Sequence, residues 1–422
     1  MLRALRRAGH RVASAKSGPD YIDPAFHAAA TGAPCLNLDA WAMRPELVSA
    51  LAWQLGRAGD LVLCEGAMGL FDGVGGTERG STADLAEALG WPVVLAVDAA
   101  GQGASVAALI EGFARHHAGL PIAGVIFNRV GSDRHATTLR EATRTALPDL
   151  PVLGMVPRDT VLTLPERHLG LVQAQEHDDL DVFLESAARL VGGTCDLAAI
   201  AALARPAQIA ETNSTAAPLA PLGQRIAVAQ DVAFAFVYRA VLEGWRDAGA
   251  ELSFFSPLAD EAPERDADAV YLPGGYPELH AGRLAANSGF LDGLRAAAVR
   301  GAAVYGECGG FMVLGRELVD AAGERHRMAG LLPATTSFAK PTLHLGYREL
   351  RLTQATPLGA PGAAFRGHEF HYASLVESDG TPLFDVADAA GAPLGPMGSV
   401  RGSVLGSFLH LIDRAELAAR NG

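Results

Sequence analysis

The sequence lacks the features that mark a membrane-spanning or disulfide-stabilised protein. Its four cysteines, Cys35, Cys64, Cys195 and Cys308, are widely scattered and form no CxxC pair, so neither a zinc site nor a disulfide framework is indicated. No apolar run reaches the roughly 18 residues that a membrane-spanning helix needs. The N-terminus, MLRALRRAGHRVASAK, is basic but has none of the apolar core of a signal peptide. We therefore predict a reducing, cytoplasmic location.

The sequence is also poor in positive charge. Its formal net charge is −13, and only 19% of the residues are charged. Nucleic-acid binders and general membrane-surface binders need an extended basic face, so neither is expected as a partner. An anionic substrate would have to meet a local basic site. With 422 residues, the chain is long enough for two or three domains of roughly 100–200 residues each.

Short apolar runs alternate with helical patterns along residues 1–203. The runs RVASAKS, LVLCEG, PVVLAVDAA, IAGVIFNRV and PVLGMVPRD are typical of strands in a parallel sheet that is buried on both faces. The stretches 43–58, 104–117 and 134–147 between them carry helical spacing, which indicates a doubly wound α/β domain. Residues 204–223, with three prolines and a Ser/Thr/Asn cluster, predict a linker. RIAVAQD, ELSFFSP, AVYLPGG and AAVYGECGG predict a second α/β domain over 224–422.

The stretch AAVYGECGGFMVL, residues 302–314, places a thiol between a predicted buried strand and a predicted helix. Glycines surround Cys308, as a sharp strand-to-helix turn requires. We expect the helix N-terminus to lower the pKa of the thiol, and the backbone N–H of Gly309 to stabilise an oxyanion. The alternative is that Cys308 is a small core residue beside a tight turn.

Two other segments favour the catalytic interpretation. YLPGGYPE, residues 271–278, predicts a strand followed by a glycine turn in which the N–H of Gly275 completes an oxyanion hole. GSFLHLID, residues 406–413, supplies His410 after a short apolar strand, as a candidate base for the thiol. Together these segments point to acyl transfer.

PGGYPE, YGECGG, GHEFHY (residues 367–372) and SFLHL resemble the class I glutamine amidotransferase domain of the cobyrinic/cobyric acid synthase type. The resemblance implies that Cys308 attacks the side-chain amide of glutamine to form a glutamyl thioester and release ammonia, with His410 as its partner. Many amidotransferases of this class carry a glutamate two residues after the histidine, where this chain has Ile412. Glu369 and Asp413 both remain candidates for the group that orients the imidazole.

Acidic residues follow two predicted strands of the N-terminal domain. KSGPDYIDPAFH, residues 16–27, places Lys16, Asp20 and Asp23 in one loop, although the two aspartates are also plausible turn formers. LVLCEGAMGLFDG, residues 61–73, has Glu65 at the end of a buried strand and Asp72 in the glycine-rich loop that follows. A carboxylate at such a strand end commonly holds Mg²⁺, so Glu65 is a candidate metal ligand.

VIFNRV, residues 125–130, ends another predicted strand with Asn128. Its amide has the groups needed to recognise an adenine edge, and a simple strand-end cap is the alternative interpretation. Because an acidic protein needs local positive charge to bind a polycarboxylate, the candidates for that contact are Lys16, Arg129, Arg158, Arg167 and His168.

KSGPDYIDP, EGAMGLFDG, STADLA and PERHLGL resemble the dethiobiotin-synthetase-like, P-loop-NTPase-like domain of cobyrinic acid a,c-diamide synthases, including the cobalt-free hydrogenobyrinic acid enzymes. The resemblance implies a site for ATP, Mg²⁺ and a corrinoid polycarboxylate. It places Asp20, Tyr21, Asp23, Glu65 and Asp72 where ATP activates a carboxylate. It leaves open a homodimer, the related cobyric acid synthase activity, and a non-catalytic binding protein with an ATPase fold; GAMGLFDG favours the diamide synthase.

A phosphate loop of the form GxxxxGK[ST] occurs nowhere in the sequence. In an ATPase domain of this type it would follow the first strand, yet residue 1 already lies in a predicted helix. We therefore expect an N-terminal domain that lacks its first strand and phosphate loop, and weak ATP binding by the 422-residue chain.

Overall fold

The computed structural model describes residues 1–117, 119–167, 170–209 and 217–416. The chain divides into two compact units. The first comprises Met1–Ala40, Val48–Gly73 and Thr77–Asn213, and the second comprises Trp41–Leu47, Val74–Gly76 and Ser214–Gly422. None of the described helices is long and apolar enough to cross a lipid bilayer.

Helices and strands make up the N-terminal part of the chain. In order they are α1 Leu2–Arg7, β1 Val12–Ser17, α2 Asp23–Thr31, β2 Cys35–Leu38, α3 Pro45–Ala58, β3 Leu61–Glu65, α4 Thr82–Leu89, β4 Val93–Asp98, α5 Val106–His116, β5 Ile122–Val130, α6 Asp133–Ala146, β6 Val152–Pro157, β7 Glu166–Arg167, β8 Gly170–Leu171, α7 Leu180–Thr194 and α8 Leu197–Ala202. Short 3₁₀ turns lie at Val74–Gly76, Thr160–Leu162 and Ala174–Glu176. The strands of this part pair in parallel except for β7 with β8.

The first unit contains two separate three-stranded parallel sheets, ordered β2-β1-β3 and β4-β5-β6. Both β3 and β4 line a cavity of about 1600 Å³. Strand β1 is buried throughout, whereas β3 and β4 are only partly buried despite their apolar sequences. Among the described residues no strand pairs with the outer edge of β3 or of β4.

The second unit carries the remaining elements. They are β9 Arg225–Ala229, α9 Arg239–Asp247, β10 Glu251–Phe255, β11 Ala269–Leu272, α10 Ala281–Ala286, α11 Ser288–Val299, β12 Ala303–Glu307, α12 Gly309–Leu314, β13 Glu317–Val319, β14 Arg325–Arg327, β15 Ala334–Ser337, β16 His344–Leu352, β17 Ala364–His371, β18 Ser374–Ser378, β19 Phe384–Asp388, β20 Pro393–Met397, β21 Ser399–Arg401, β22 Val404–Ser407 and β23 Leu409–Arg414, with 3₁₀ turns at Pro257–Ala259 and Pro277–His280.

A six-stranded sheet, ordered β10-β9-β11-β12-β22-β21, forms the centre of the second unit. Its strands are parallel except β21, and its core contains Phe234, Phe290, Phe311 and Leu314. An antiparallel sheet, ordered β20-β19-β16-β17-β23, and a smaller four-stranded sheet accompany it. The predicted central strands of both domains are confirmed. The antiparallel sheets are an addition that the sequence analysis did not predict.

Candidate active sites

Cys308 lies at the turn between β12 and α12 with a left-handed backbone conformation, φ 47° and ψ −104°. This conformation is strained for any residue other than glycine. Two hydrogen bonds hold it: the Cys308 N–H donates to the Ser407 carbonyl at 2.8 Å, and the Met312 N–H donates to the Cys308 carbonyl at 3.1 Å. The predicted strand, sharp turn and helix are confirmed, and they have the geometry of a nucleophile elbow.

His410 lies within β23, whereas the sequence analysis placed it after a short strand. Its side chain comes close to that of Cys308. Gly274, at the end of β11, shows how close the two side chains come. A Cβ atom on Gly274 would lie 2.5 Å from His410 Cε1, 3.4 Å from His410 Nε2 and 3.3 Å from Cys308 Cβ. The thiol-bearing carbon and the imidazole Nε2 therefore both adjoin one point, which only a glycine leaves open.

The two predicted oxyanion-hole glycines also lie side by side. A Cβ on Gly309 would be 3.2 Å from the Gly275 backbone nitrogen. Gly275 has φ 157°, at the edge of the left-handed region, and a Cβ there would collide with the Ala233 carbonyl oxygen. This close packing places the Gly275 backbone nitrogen near Gly309, the residue after Cys308, and neighbouring backbone N–H groups are what an oxyanion hole requires.

Burial determines the protonation states of Cys308 and His410. It raises the pKa of the Cys308 thiol, and the negative charge of Glu278 adds to this effect, whereas the Gly309 N–H opposes it. The expectation that the helix N-terminus lowers this pKa is therefore wrong for the free protein: α12 has only six residues, and desolvation dominates. Burial, then the charges of His368 and His371, lower the pKa of His410 well below its ordinary value. A neutral thiol therefore faces a neutral imidazole.

Neither carboxylate that the sequence offered for orienting His410 is placed to do so. Arg44 binds Asp413 through two nitrogens, each 3.0 Å from a carboxylate oxygen. Arg348 and His371 bind Glu369, with Arg348 Nε at 2.9 Å and His371 Nε2 at 2.9 Å. Both carboxylates therefore bind side chains other than His410.

His344, Glu369 and His371 bring three potential metal-ligand atoms within 4.8 Å of one another. The two imidazole rings stack nearly parallel, with centroids 4.7 Å apart and 14° between their planes. Their in-plane lone pairs do not converge on one point, and Arg348 adds a positive charge at Glu369. The stacked arrangement therefore does not suit a metal ion.

In the first unit, strand register places Lys16 beside Glu65. The two residues are paired across β1 and β3, and Lys16 Nζ lies 3.4 Å from Glu65 Oε1 and 2.6 Å from Asp23 Oδ2. Burial lowers the pKa of Lys16, but the charges of Glu65 and Asp23 outweigh it and raise the pKa overall. Lys16 is consequently a fixed positive charge at the carboxyl end of the sheet.

His27 is the second partner of Glu65, and sequence reasoning missed it. Its Nε2 contacts Glu65 Oε2, while its Nδ1 lies 3.5 Å from the Cys35 thiol. Burial raises the pKa of Glu65, but the hydrogen bond from His27 and the charge of Lys16 outweigh it and lower the pKa overall. The Glu65 carboxylate is thereby kept ionised. It is half exposed and lines the cavity together with Asp23 and His27.

The loop after β1 is ordered by Asp20 and Asn37. Asp20 Oδ1 accepts hydrogen bonds from the N–H groups of Ile22 and Asp23 at 2.7 and 3.0 Å. Asn37 Nδ2 donates to the carbonyls of Gly18 and Asp20 at 2.9 and 2.7 Å. Asp20 therefore acts as a turn former here, and Tyr21, between Asp20 and Ile22, is partly buried.

Of the other predicted ligands, Asp72 lies in the loop after β3, and Asn128 and Arg129 lie near the end of β5. Asp72 Oδ2 accepts the Gly69 N–H at 2.9 Å within its own loop. Asn128 Oδ1 accepts the N–H of Arg129, and Arg129 Nη1 lies 2.8 Å from Asp98.

Of the remaining basic candidates, Arg167 forms two hydrogen bonds with Glu176 at 2.6 and 2.7 Å, and Arg158 is exposed. The candidate His168 lies outside the described residues.

Comparison with known proteins covers both units. Residues 1–172 match the CobQ/CobB/MinD/ParA nucleotide binding domain, and residues 225–416 match the CobB/CobQ-like glutamine amidotransferase domain. Over 416 residues the chain is 55% identical to "Hydrogenobyrinate a,c-diamide synthase" of Brucella anthropi, covering 98% of this chain and 94% of the relative. A protein of the same name from Rhizobium meliloti is 54% identical, with coverage of 99% and 95%.

The chain belongs to the hydrogenobyrinate a,c-diamide synthase family. Among solved structures, PurLQS from Thermotoga maritima is 22% identical with a TM-score of 0.34, covering 44% of this chain and 86% of that one.

Three buried residues of this family member make contacts that the sequence motifs did not reveal. Gly274, His27 and Glu307 each contact a predicted site residue. Gly274 and Glu307 lie inside motifs that were recognised, PGGYPE and YGECGG, but their contacts depend on residues far away in the sequence. His27 ends the segment KSGPDYIDPAFH, where a signal was available: a histidine one helical turn beyond Asp23 lies on the same side of the helix.

Proposed function

We propose that this protein is a glutamine-hydrolysing, ATP-dependent ligase that amidates the a and c carboxylates of hydrogenobyrinic acid or cobyrinic acid. The observation that carries the proposal is the convergence of Cys308 and His410 on Gly274, in a chain that is 55% identical to a hydrogenobyrinate a,c-diamide synthase over nearly its whole length. Cys308 and His410 supply ammonia, and the first unit activates the acceptor carboxylate.

Ammonia release begins when His410 Nε2 takes the proton from the Cys308 thiol. The thiolate then attacks the glutamine side-chain carbon, forming a C–S bond and an oxyanion that the N–H groups of Gly275 and Gly309 stabilise. His410 returns the proton to the departing nitrogen, so ammonia leaves and a glutamyl thioester remains. Water, deprotonated by the same imidazole, cleaves the thioester to glutamate and restores the thiol.

Burial of the dyad has a direct consequence for this sequence of steps. The pKa of the thiol is raised and that of the imidazole is lowered in the free protein, so an ion pair is disfavoured before glutamine arrives. The thiolate forms only when the substrate carbonyl is in place to accept it. This arrangement protects a buried thiol from oxidation and from adventitious alkylation.

For the ligase half, the cavity of the first unit is the best-supported site. Asp23, His27, Glu65, Asp98 and Gln102 line it together. Lys16 is buried behind this lining, where its Nζ contacts both Asp23 and Glu65, and it remains a proposed source of positive charge for phosphate or a substrate carboxylate. Asp20, Tyr21, Asp72, Asn128 and Arg129 remain proposed contacts for the nucleotide or the corrinoid.

Glu65 fits a role in binding Mg²⁺. It is an ionised, half-exposed carboxylate at the end of a parallel strand, and Mg²⁺ in nucleotide sites typically takes one or two protein carboxylates together with phosphate oxygens and water. When bound, the ion would neutralise charge on the transferred phosphoryl group. His27 and Lys16 hold the carboxylate in position.

The test measures the two halves separately. Glutamine hydrolysis is followed as glutamate formation without ATP or corrinoid. Amidation is followed by mass spectrometry of hydrogenobyrinic acid and of cobyrinic acid incubated with ATP, Mg²⁺ and either glutamine or ammonium. The proposal predicts glutamate formation and products carrying one and then two amides. Glutamine hydrolysis without amidation of either acid, in a protein shown to bind ATP, would contradict the proposed substrate.

A further inference from the structure

We infer that Glu307, the residue immediately before the nucleophile, is the positioning acid of His410 and takes the place of the glutamate that related amidotransferases carry two residues after their histidine. The inference rests on the proposed glutaminase function. It follows from the position of Glu307 on the Nδ1 side of the imidazole and from the way its carboxylate is held.

Glu307 and His410 come from neighbouring parts of the fold. Glu307 ends β12, and its Oε2 lies 3.8 Å from His410 Nδ1. This distance is too long for a hydrogen bond, so the carboxylate acts on the ring through its charge. Both side chains are almost completely buried, with 4% and 1% exposure, so little solvent screens the interaction.

Three donors fix the carboxylate of Glu307. The hydroxyl groups of Tyr271 and Tyr305 donate to Oε2 and Oε1 at 2.8 Å each. The backbone N–H of Leu411 donates to Oε1 at 3.1 Å. The last of these bonds links Glu307 to Leu411, the residue after His410 in β23. Glu307 therefore faces the imidazole ring and also holds the backbone that carries it.

The position two residues after the histidine has no such capacity in this chain. Ile412 is apolar and buried. The next acidic residue, Asp413, binds Arg44 at 3.0 Å, and Glu369 binds Arg348 at 2.8 Å. Glu307, in contrast, has a carboxylate oxygen 3.8 Å from His410 Nδ1.

A carboxylate opposite Nδ1 has two effects on the reaction. It favours the tautomer with hydrogen on Nδ1, which leaves the Nε2 lone pair directed toward the thiol. It also stabilises the imidazolium that forms when Cys308 loses its proton, as the acid of a catalytic triad does. The three donors keep the carboxylate in place while this charge develops.

The principal test is glutamine hydrolysis by Glu307→Gln, which keeps the shape and removes the charge. We expect kcat to fall about 10- to 1,000-fold, with KM changed by less than about threefold, because Glu307 acts through His410 and not on the substrate. Glu251→Gln is the matched control, since Glu251 is largely exposed and contacts Arg225 at 3.6 Å. An unchanged kcat in a folded Glu307→Gln protein would overturn the inference.

A pH profile separates positioning from a merely structural role. Burial raises the pKa of Glu307 to about 7, and the bonds from Leu411 and the two tyrosines limit the rise. The other titratable groups facing the pair are Tyr271, Tyr305, His368 and His371. Both tyrosines stay protonated, because burial raises their pKa well above the ordinary value. The wild-type rate should rise with pH through about 7, and Glu307→Gln should lose this rise.

Tyr271→Phe and Tyr305→Phe provide a second test should Glu307→Gln not fold. Each removes one donor from the carboxylate while keeping the aromatic ring, so ionisation of Glu307 becomes harder. The rise in rate should move to higher pH by about 0.5 to 1 unit. A pH profile that both tyrosine variants leave in place would contradict the inference. Cys308→Ala tests the proposed function itself. If this variant still hydrolyses glutamine, Cys308 and His410 are not the glutaminase site, and the proposed function fails together with the role of Glu307.

Discussion

At the scale of single residues, the proposed glutaminase site needs a glycine at position 274 as much as it needs the side chains of Cys308 and His410. Gly274 leaves open the point at which Cys308 and His410 meet. The motif PGGYPE drew attention to Gly275 for its N–H, but the steric role of its neighbour could not be predicted, because His410 is 136 residues further along the chain.

Gly274→Ala is therefore expected to displace the imidazole, since its Cβ would lie 2.5 Å from His410 Cε1, closer than nonbonded carbons approach. Glutamine hydrolysis should fall by at least about 100-fold, because a misplaced base loses its reach to the thiol. Gly112→Ala is the control, as a Cβ there meets nothing within 4 Å. A rate within twofold of wild type would show that the dyad is not arranged around Gly274.

Glu65→Gln tests the ligase half in the same way. The change removes the charge that Lys16 and His27 hold in place. ATP-dependent amidation should fall at least about tenfold with either glutamine or ammonium, while glutamine hydrolysis alone stays unchanged. Glu46→Gln on an exposed turn of α3 is the control. An amidation rate and Mg²⁺ dependence equal to wild type would make Glu65 a structural residue.

At the scale of elements, a short segment of the N-terminal part secures the strand that carries His410. Trp41–Leu47 groups with the second unit, where Arg44 binds the fully buried Asp413 of β23. Burial raises the pKa of Asp413, and Arg44 opposes the rise. A buried carboxylate without its partner is costly.

Arg44→Met should accordingly destabilise the protein by about 3–5 kcal/mol, measured as a lower urea midpoint for the second unit. Adding Asp413→Asn to Arg44→Met should recover part of the loss, because the unpaired charge is then absent. Arg225→Met is the control, since Arg225 pairs with Asp266 on the surface, and such pairs contribute about 0–1 kcal/mol. No recovery in the double variant would show that charge burial is not the cause.

Elements with strong apolar runs were predictable, and those defined by long-range pairing were not. The strands β1, β3, β4, β5 and β6 follow their apolar sequences, because runs of this kind are typical of strands in parallel sheets. Strand β2 has only four residues, CLNL, too few to stand out. Most of the strands β13–β21 have only three to five residues, and the longer β16 and β17 mix apolar with charged residues, so they leave little local signal.

The same division applies to the sites. Cys308 and His410 could be proposed because glycines and apolar strands surround them in the sequence. Glu307 was visible in YGECGG, but its function depends on Tyr271, Leu411 and His410, which the fold assembles. The lowered thiol pKa was predicted wrongly, because sequence motifs carry no information on how deeply the turn is buried.

At the scale of the whole molecule, buried histidines link stability to pH. Burial lowers the pKa of His368 from 6.5 to about 4. The unfolded chain takes up a proton below pH 6.5, while the folded protein resists protonation until about pH 4, so stability is lost as pH falls through this window. The loss from His368 is on the order of 3 kcal/mol. His410 acts in the same direction, whereas Glu307, with its raised pKa, favours the folded state toward lower pH.

His368→Gln isolates this contribution. Urea unfolding of the variant and of the wild-type protein, compared at pH 7.5 and at pH 4.5, should show a smaller loss of stability on acidification in the variant. Equal losses in the two proteins would mean that His368 does not remain neutral in the folded state.

The account as a whole is tested most directly by glutamine hydrolysis in wild type, Cys308→Ala and His410→Asn, measured as glutamate formation by the folded proteins. Cys195→Ala serves as the control for thiol removal elsewhere in the chain. We predict that the control keeps the wild-type rate, that Cys308→Ala loses activity by at least about 1,000-fold, and that His410→Asn loses at least about 100-fold. Glutamate formation at the wild-type rate by either dyad variant would contradict the assignment of this site as the source of ammonia.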